Sequence, residues 1–443
     1  MQISLSEHFT YKKLLRFTLP SVVMMIFTSI YGVVDGIFVS NFVGKTPFAA
    51  INLIMPFLMI FGSVGFMIGT GGSALVSKTR GEGDSEKANR IFSMLIYLSV
   101  LFGVMLSVIG LLFLRPISIF LGAEGAMLED CVAYGRIILP VLTAFILQNE
   151  FQSFLVTAEK PNLGLGVTVA AGVTNIVLDA LFVAVFRWGL VGAAVATAIS
   201  QVVGGVIPVL YFAFSKKSLL RLTKTVFNGR ILLKTCTNGS SELMANVSFS
   251  LVNILYNFQL MRFAGEDGVA AFGVIMYVNF IFAAIFIGYA IGTAPIVGFH
   301  FGAGNHAELK SLFRKSLTLI GLASLIMTVL AEGMARPLST IFVGYDATLL
   351  AMTTRGFQLY SISFLFSGFC IFGSSFFTAL NDGLVSAAIS FLRALLFEVG
   401  AVLLLPALFG LDGVWLSVVV AEGLAFMVTV FCFVKFRKKY HYV

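Results

Sequence analysis

Apolar residues run for twenty or more positions at a time along most of this chain, and short polar segments carrying lysine and arginine interrupt them. An α-helix rises 1.5 Å per residue and the hydrocarbon core of a bilayer is about 30 Å thick, so about twenty such residues make one crossing. Twelve runs reach that length, at residues 17–43, 47–76, 91–114, 132–157, 162–186, 189–214, 235–261, 268–299, 316–335, 356–380, 384–408 and 413–434. Each predicts a helix, because lipid offers no partner for an open backbone. With the N-terminus placed inside, 21 basic residues fall in inner segments. Seven (Lys45, Arg115, Arg136, Arg187, Arg262, Arg336 and Arg355) fall outside, and Arg393 lies within a span. That bias predicts a multi-pass protein with both termini in the cytoplasm.

The two halves of the chain repeat each other. Arg115-Pro116 recurs as Arg336-Pro337, "GEGD" at Gly81 as "GAGN" at Gly302, and "GLVG" at Gly189 as "GLDG" at Gly410, each displaced by 221 residues. "GFMIGTGG" from Gly65 returns as "GYAIGTAP" from Gly288 with a drift of two. Several matches at one offset indicate a duplication. Six helices separate the copies, so both halves enter the membrane in the same direction. The expected fold is therefore an all-α membrane protein with twelve transmembrane helices in two parallel six-helix repeats. Residues 1–214 form the first lobe, 215–234 a basic cytoplasmic linker and 235–443 the second lobe. Two such bundles with a cavity between them are the architecture of a carrier.

Composition narrows the class further. Hydrophobic residues make up 58% of the 443 positions and charged residues 11%, far below the roughly 25% of a soluble domain. The net charge of +8 does not indicate a nucleic-acid partner, since the basic residues flank spans and form no soluble patch. Cys131, Cys236, Cys370 and Cys432 are far apart and contain no CxxC pair, which excludes a sequence-evident zinc site or disulfide framework.

Acidic groups inside spans carry the candidate chemistry, because a charge at mid-membrane costs roughly 2.5 to 3.5 kcal/mol on insertion scales. Asp35 lies 19 residues beyond Arg16, Asp179 lies 19 beyond Lys160, and Thr197 lies 19 before Lys216, so all three are expected at one depth. That depth is about 12 to 15 Å from the outer face. Asn175 sits one turn before Asp179 on the same helix face. Two carboxylates, an amide and a hydroxyl at one level suit a shared proton, since two acids in contact cannot both hold their charge cheaply. Asp35 and Asp179 in an all-oxygen cluster equally suit Na⁺. A third reading is that each polar residue only locks helix packing. The same positions plus 221 are Tyr256, Leu396, Gly400 and Val418, none of them acidic, so ion coupling is expected in the first half alone.

Other polar residues are weaker signals. Gln148 and Gln152 share a face near mid-membrane, while Glu150 points elsewhere, toward a cationic substrate or a neighbouring helix. Pro20 removes a backbone bond and predicts a kink in the first helix. Met24 and Thr28 follow it, as cavity wall or as lipid-facing filler. Glu242, Arg393, Glu398 and Glu422 lie in or near spans of the second half, where Arg393 and Glu398 read as ion-pair members with other partners. "GTGGSA" lacks the Lys-Ser/Thr of a phosphate loop, the four histidines have no ligand spacing, and no catalytic set shares a depth. An enzyme is not expected.

"LPSVVMMIFTSIYGVVDGIFVSNFVG" with Pro20 and Asp35 fifteen apart, "NIVLD" ending at Asp179 and "ATAIS" around Thr197 resemble the bacterial multidrug and toxic compound extrusion (MATE) transporters, in the DinF-like and MepA-like branch. The similarity covers the whole chain. It implies V-shaped lobes in the bacterial cytoplasmic membrane, exporting drugs or toxic organic cations in exchange for H⁺ or Na⁺, with no cofactor and as a monomer in lipid. By position it carries the family's cation site onto Asp35, Asn175, Asp179 and Thr197, its bending first helix onto Pro20, and its drug cavity onto Gln148 and Gln152. The tenth helix has no acid, unlike the NorM-like branch, so the resemblance gives no second-lobe Na⁺ site. A lipid-linked oligosaccharide flippase of the same superfamily is the alternative within transport and would require a basic cavity, for which Arg393 is the only residue available. An intramembrane lipid enzyme is the alternative outside it.

Overall fold

The computed structural model describes residues 3–215 and 218–443, apart from the side chains of Ile37, Ser40, Asn41 and Lys45. Lys216 and Lys217, which belong to the basic linker, lie outside the described residues, as does the side chain of Lys45. The first lobe holds α1 (Tyr11–Phe42), α2 (Lys45–Gly81), α3 (Ser85–Phe120), α4 (Gly125–Thr157), α5 (Pro161–Val185) and α6 (Gly189–Phe214). The helical run Gly229–Gly302 that follows is 74 residues long, several times what one crossing needs. It is interrupted at Gly265 (φ 60°, ψ −148°), a conformation essentially confined to glycine, which divides it into α7 (229–264) and α8 (266–302). Then come α9 (His306–Val343) and α10, whose halves Ala347–Ser361 and Phe364–Ala379 meet at 47°. The run Gly383–Tyr440 is divided at Gly410 (φ 59°, ψ −135°) into α11 (383–409) and α12 (411–440).

Among the described residues nine helices qualify as spans by length and hydropathy, the bent α10 makes ten, and dividing the two over-long runs makes twelve. The expected spans are all present, most of them with a longer end. Pro20 lies inside α1, with helical backbone on both sides of it. One difference matters: α7 begins at Gly229, so residues 229–234, expected to be linker, are its first six residues, capped by the Asn228 side chain, which accepts from the backbone N–H groups of Arg230 and Ile231.

The repeat seen in the sequence has a backbone counterpart. Left-handed positions recur at Gly44 (φ 111°) and Gly265 (φ 60°), Glu159 (φ 61°) and Asn381 (φ 60°), and Gly189 (φ 60°) and Gly410 (φ 59°). "GEGD" and "GAGN" also share a task, since Asp84 caps α3 by accepting from the N–H of Lys87 and Asn305 caps α9 by accepting from that of Glu308. Polar turn residues at equal spacing therefore set the same reversals in both halves.

The lobes meet at the end that carries both termini. There α2 packs on α7 with backbones nearly touching: a Cβ on Gly239 would stand 1.8 Å from the Met67 carbonyl oxygen, and one on Gly71 2.1 Å from that of Thr235. Buried Leu5, Phe9, Leu14 and Phe17 join a cluster otherwise built almost wholly from the second lobe, including Phe286, Phe372 and Phe376. The leading segment spans the seam. The N–H of Leu5 donates to Glu159 of the first lobe (3.0 Å), the N–H of Phe9 donates to Glu308 of the second (2.9 Å), and Lys315 Nζ donates to the Phe9 carbonyl (2.5 Å). Towards the other end each lobe has its own core, around Leu139 and Leu142 in the first and around Phe357 and Trp415 in the second.

The α2–α7 contact has no room for a side chain. Gly239→Leu is expected to destabilise this closed arrangement by about 1–3 kcal/mol, the usual cost of overpacking, read as a lower thermal unfolding midpoint of purified protein. An unchanged midpoint would mean that the two helices are not in backbone contact.

Candidate functional site

The first lobe gathers polar groups from four helices at one place. On α5 regular α-helical bonding ends at Asp179 and a π-helical turn occupies Ala180–Val185. Such turns interrupt the helix ladder and often mark functional positions. Asp179 is fully buried, and Asn175, one turn earlier, is 3% exposed. The carboxyl groups of Asp35 on α1 and Asp179 lie close enough to interact, and the Asn175 side chain lies beside Asp35. Yet Oδ1 of Asp35 and both Oδ atoms of Asp179 are buried with no donor facing them. The two statements fit together, because ionised carboxylates only accept. The contact is favourable only when a proton or a cation lies between them.

Two tyrosines complete the pocket. Tyr134 on α4, 2% exposed, has its phenol against the Thr197 hydroxyl of α6 and lies within electrostatic reach of both acids. Tyr31, one turn before Asp35, contacts Gln148 of α4. Gln148 fills the notch at Gly204 of α6, where a Cβ would stand 2.5 Å from its Cδ. Asp35, Asn175, Asp179, Thr197 and Gln148 are thus brought together, with Tyr31 and Tyr134 added. A signal for Tyr31 existed in its spacing of four from Asp35. Nothing local marks Tyr134.

The remaining polar residues lie elsewhere. Gln152 is 5% exposed with its Oε1 buried and unpartnered. Glu150 is fully buried and faces Ser99 of α3, away from Gln148. Met24, 1% exposed, packs beside Gly164 of α5 and is not lipid-facing. The Thr28 hydroxyl donates to the carbonyl of Met24 in its own helix (2.9 Å). Pro20 is buried next to Ser21 and Val22, which abut Gly288 of α8 at the seam between the lobes. In the second lobe Arg393 is bound by Glu422, with Nε 2.9 and 3.0 Å from the two carboxylate oxygens and the terminal nitrogen 2.7 Å from one of them.

Comparison with known proteins gives a consistent picture. The MatE family model matches residues 20–181 and 243–403, one segment in each lobe. The chain is similar to the multidrug export protein MepA of Staphylococcus saprophyticus, 23% identical over 93% of this chain and 91% of that protein. It is also similar to MepA of Staphylococcus aureus strain MRSA252, at 22% over 94% and 91%. Among solved structures, a crystal structure of MATE in complex with MaL6 superposes with a TM-score of 0.92 at 22% identity, covering 98% of both chains. A MOP superfamily transporter from Pyrococcus furiosus superposes with a TM-score of 0.90 at 22% identity, covering 99% of this chain and 97% of that one.

Because three of the four carboxylate oxygens have no donor, an amide in place of one carboxyl supplies one. Asp179→Asn is expected to raise the thermal unfolding midpoint of the purified protein by a few degrees, about 1 kcal/mol, the scale of one satisfied buried acceptor. A lowered midpoint would mean that the two carboxyls do not compete for one proton or cation.

Proposed function

The chain belongs to the MatE family, and from that premise we propose that it is a secondary multidrug exporter that moves cationic or amphipathic organic compounds out of the cell in exchange for H⁺ or Na⁺. The observation that carries the coupling part is the contact between Asp35 and Asp179, with three buried carboxylate oxygens lacking a donor. A group with no fixed partner takes a mobile one. The oxygens of both acids, with the Asn175 amide oxygen, form a donor set suited to a proton or to Na⁺, and nothing soft is present to select another metal. Thr197 orients Tyr134 over the same pocket.

Export requires that the ion and the drug favour opposite conformations, since a ligand with equal affinity for both states shifts nothing. In this reading the loaded pair carries one net negative charge in place of two and lets α1, α4, α5 and α6 pack tightly. The unloaded pair repels, opening polar space beside Gln148 and Gln152 for a cationic drug. Pro20, Met24 and Thr28 lie along the part of α1 that adjusts as the pocket fills. The seam between the lobes closes the end that carries the termini, so the orientation expected from the basic residues makes this an outward-open state. Residues 1–214 and 235–443 are the moving units, with the segment between them as a tether.

The flippase reading gains no support. A pyrophosphate needs free cationic groups, and the guanidinium of Arg393 is already engaged by Glu422.

Everted vesicles test the proposal. Asp35→Asn and Asp179→Asn are each expected to lower ion-driven drug uptake at least about tenfold, the scale of losing a charge-assisted interaction. Full uptake by both variants would refute the role of the pair. In proteoliposomes, imposing a pH gradient and a Na⁺ gradient separately identifies the coupling ion.

A further inference from the structure

We propose that the cytoplasmic end of α3, the start of α7 and the segment joining α6 to α7 form a binding site for the phosphate of one anionic phospholipid of the inner leaflet, with Lys87 and Lys224 as its counter-charges. The site is a cleft of about 510 Å³, lined by Lys87, Arg90 and Met94 of α3, Lys224 and Val226 of the joining segment, and Ile231 of α7. It shares no residue with the pocket of Asp35 and Asp179.

The fold brings together basic groups that are far apart in sequence. The joining segment is fastened along α3: the Thr225 hydroxyl donates to the Arg90 carbonyl (2.9 Å), the N–H of Thr223 donates to the Ser93 hydroxyl (2.7 Å), and the N–H of Asn228 donates to the Met94 sulfur (3.3 Å). Lys224 is thereby held in one cleft with Lys87 and Arg90. Arg90 is paired with Glu86, one turn earlier on α3. Among the described residues no carboxylate lies within ion-pair distance of Lys87 or Lys224. Lys234, three residues after Ile231, is within electrostatic reach of Lys78, Lys87 and Glu82, and Glu82 already pairs with Lys78 (3.7 Å). Positive charge is therefore in excess around the cleft, and an anion relieves the repulsion.

Depth and an apolar rim select a lipid over a soluble anion. Arg90 and Lys234 each stand one residue outside the spans expected at 91–114 and 235–261, which puts the cleft at the level of the headgroups. Farther into the membrane, Tyr97, Leu101 and Val104 follow Arg90 and Met94 on one side of α3 and are 48%, 60% and 51% exposed, a lane for an acyl chain below the basic groups. Val226 on the rim is 84% exposed and Phe227 beside it 64%. Exposed apolar side chains next to lysines are the pattern of a surface that enters the headgroup layer.

The proposal does not depend on the exporter reading, because lipid retention is measured without transport. The experiment is native mass spectrometry of the purified full-length protein in detergent, titrated with phosphatidylglycerol. One saturable phosphatidylglycerol is expected, displaced neither by phosphatidylcholine of the same chain length nor by glycerol 1-phosphate. Each basic residue at a membrane surface contributes about fivefold, so Lys87→Gln combined with Lys224→Gln should weaken retention at least about tenfold. Val226→Ser should weaken it about threefold, as for partial loss of one apolar contact. Lys12→Gln combined with Lys438→Gln removes the same charge elsewhere and should leave it unchanged. All five side chains are exposed, so these variants should fold. Absence of saturable binding overturns the proposal. So does equal weakening by the two double variants, which would mean a general attraction to a basic face. Equal retention of phosphatidylcholine would show that charge does not select the ligand, and displacement by glycerol 1-phosphate would show a site for a soluble anion; either result overturns the proposal too.

Discussion

A carboxylate inside hydrocarbon needs a counter-charge, a donor or a proton, and in the first lobe Asp35 and Asp179 have turned toward each other instead. Their contact needs a shared proton or a cation, because neither group can donate to the other once both are ionised. The surroundings do not repair the deficit. Tyr134 lies beside Thr197, Tyr31 beside Gln148, whose Oε1 is itself buried without a partner, and Asn175 beside Asp35. The α5 ladder changes to a π-turn immediately after Asp179, so the helix bearing one acid is irregular where it would have to move.

The second lobe solves the same problem on the same scaffold by another means. Its helices reverse at matching left-handed positions, yet Tyr256 stands where Asp35 does, and the buried acid Glu422 is neutralised by Arg393 from a neighbouring helix. A covalently attached cation cannot leave, so that ion pair contributes no exchangeable charge. Removing either partner would strand the other, a cost of several kcal/mol that keeps such pairs intact. The lobes thus share one fold and differ in how their buried acids are balanced among the described residues.

Much of this arrangement was legible in the chain. Span number came from run length, the duplication from "GEGD" and "GAGN", and the common depth of Asp35, Asp179 and Thr197 from their distances to flanking basic residues. What hydropathy could not supply was the position of a helix end beyond the membrane. Gly229 to Lys234 is charged and reads as linker, although Asn228 is a good cap and the backbone simply continues into α7. Pro20 sits inside α1 beside the residues that contact α8, with helical backbone on both sides of it. Tyr134 was invisible because it enters the pocket from a separate helix at no fixed spacing from either acid. Contacts of that type are tertiary, and no local period encodes them.

The closed end of the molecule sets the energetic terms for any opening. At the seam, backbones touch through Gly71 and Gly239, and the leading segment ties Glu159 of one lobe to Glu308 of the other through the N–H groups of Leu5 and Phe9. These bonds must exchange for water if the lobes part there, and each is worth only about 0.5–1.5 kcal/mol net, rising to about 3 where a carboxylate accepts. The apolar contacts of Leu5 and Phe9 add a few kcal/mol more. A switch of that size is within reach of one binding event, because moving an equilibrium from one side to the other takes about 5.5 kcal/mol of differential affinity. The proposed coupling needs a seam that holds one state in the absence of ligand and yields to occupancy of the acid pair, and it needs the helix that carries Asp35 also to carry the seam. It does: α1 begins at Tyr11, immediately after the segment that crosses the seam, packs Thr18, Ser21 and Val22 on α8, and bears Asp35 farther along the same helix.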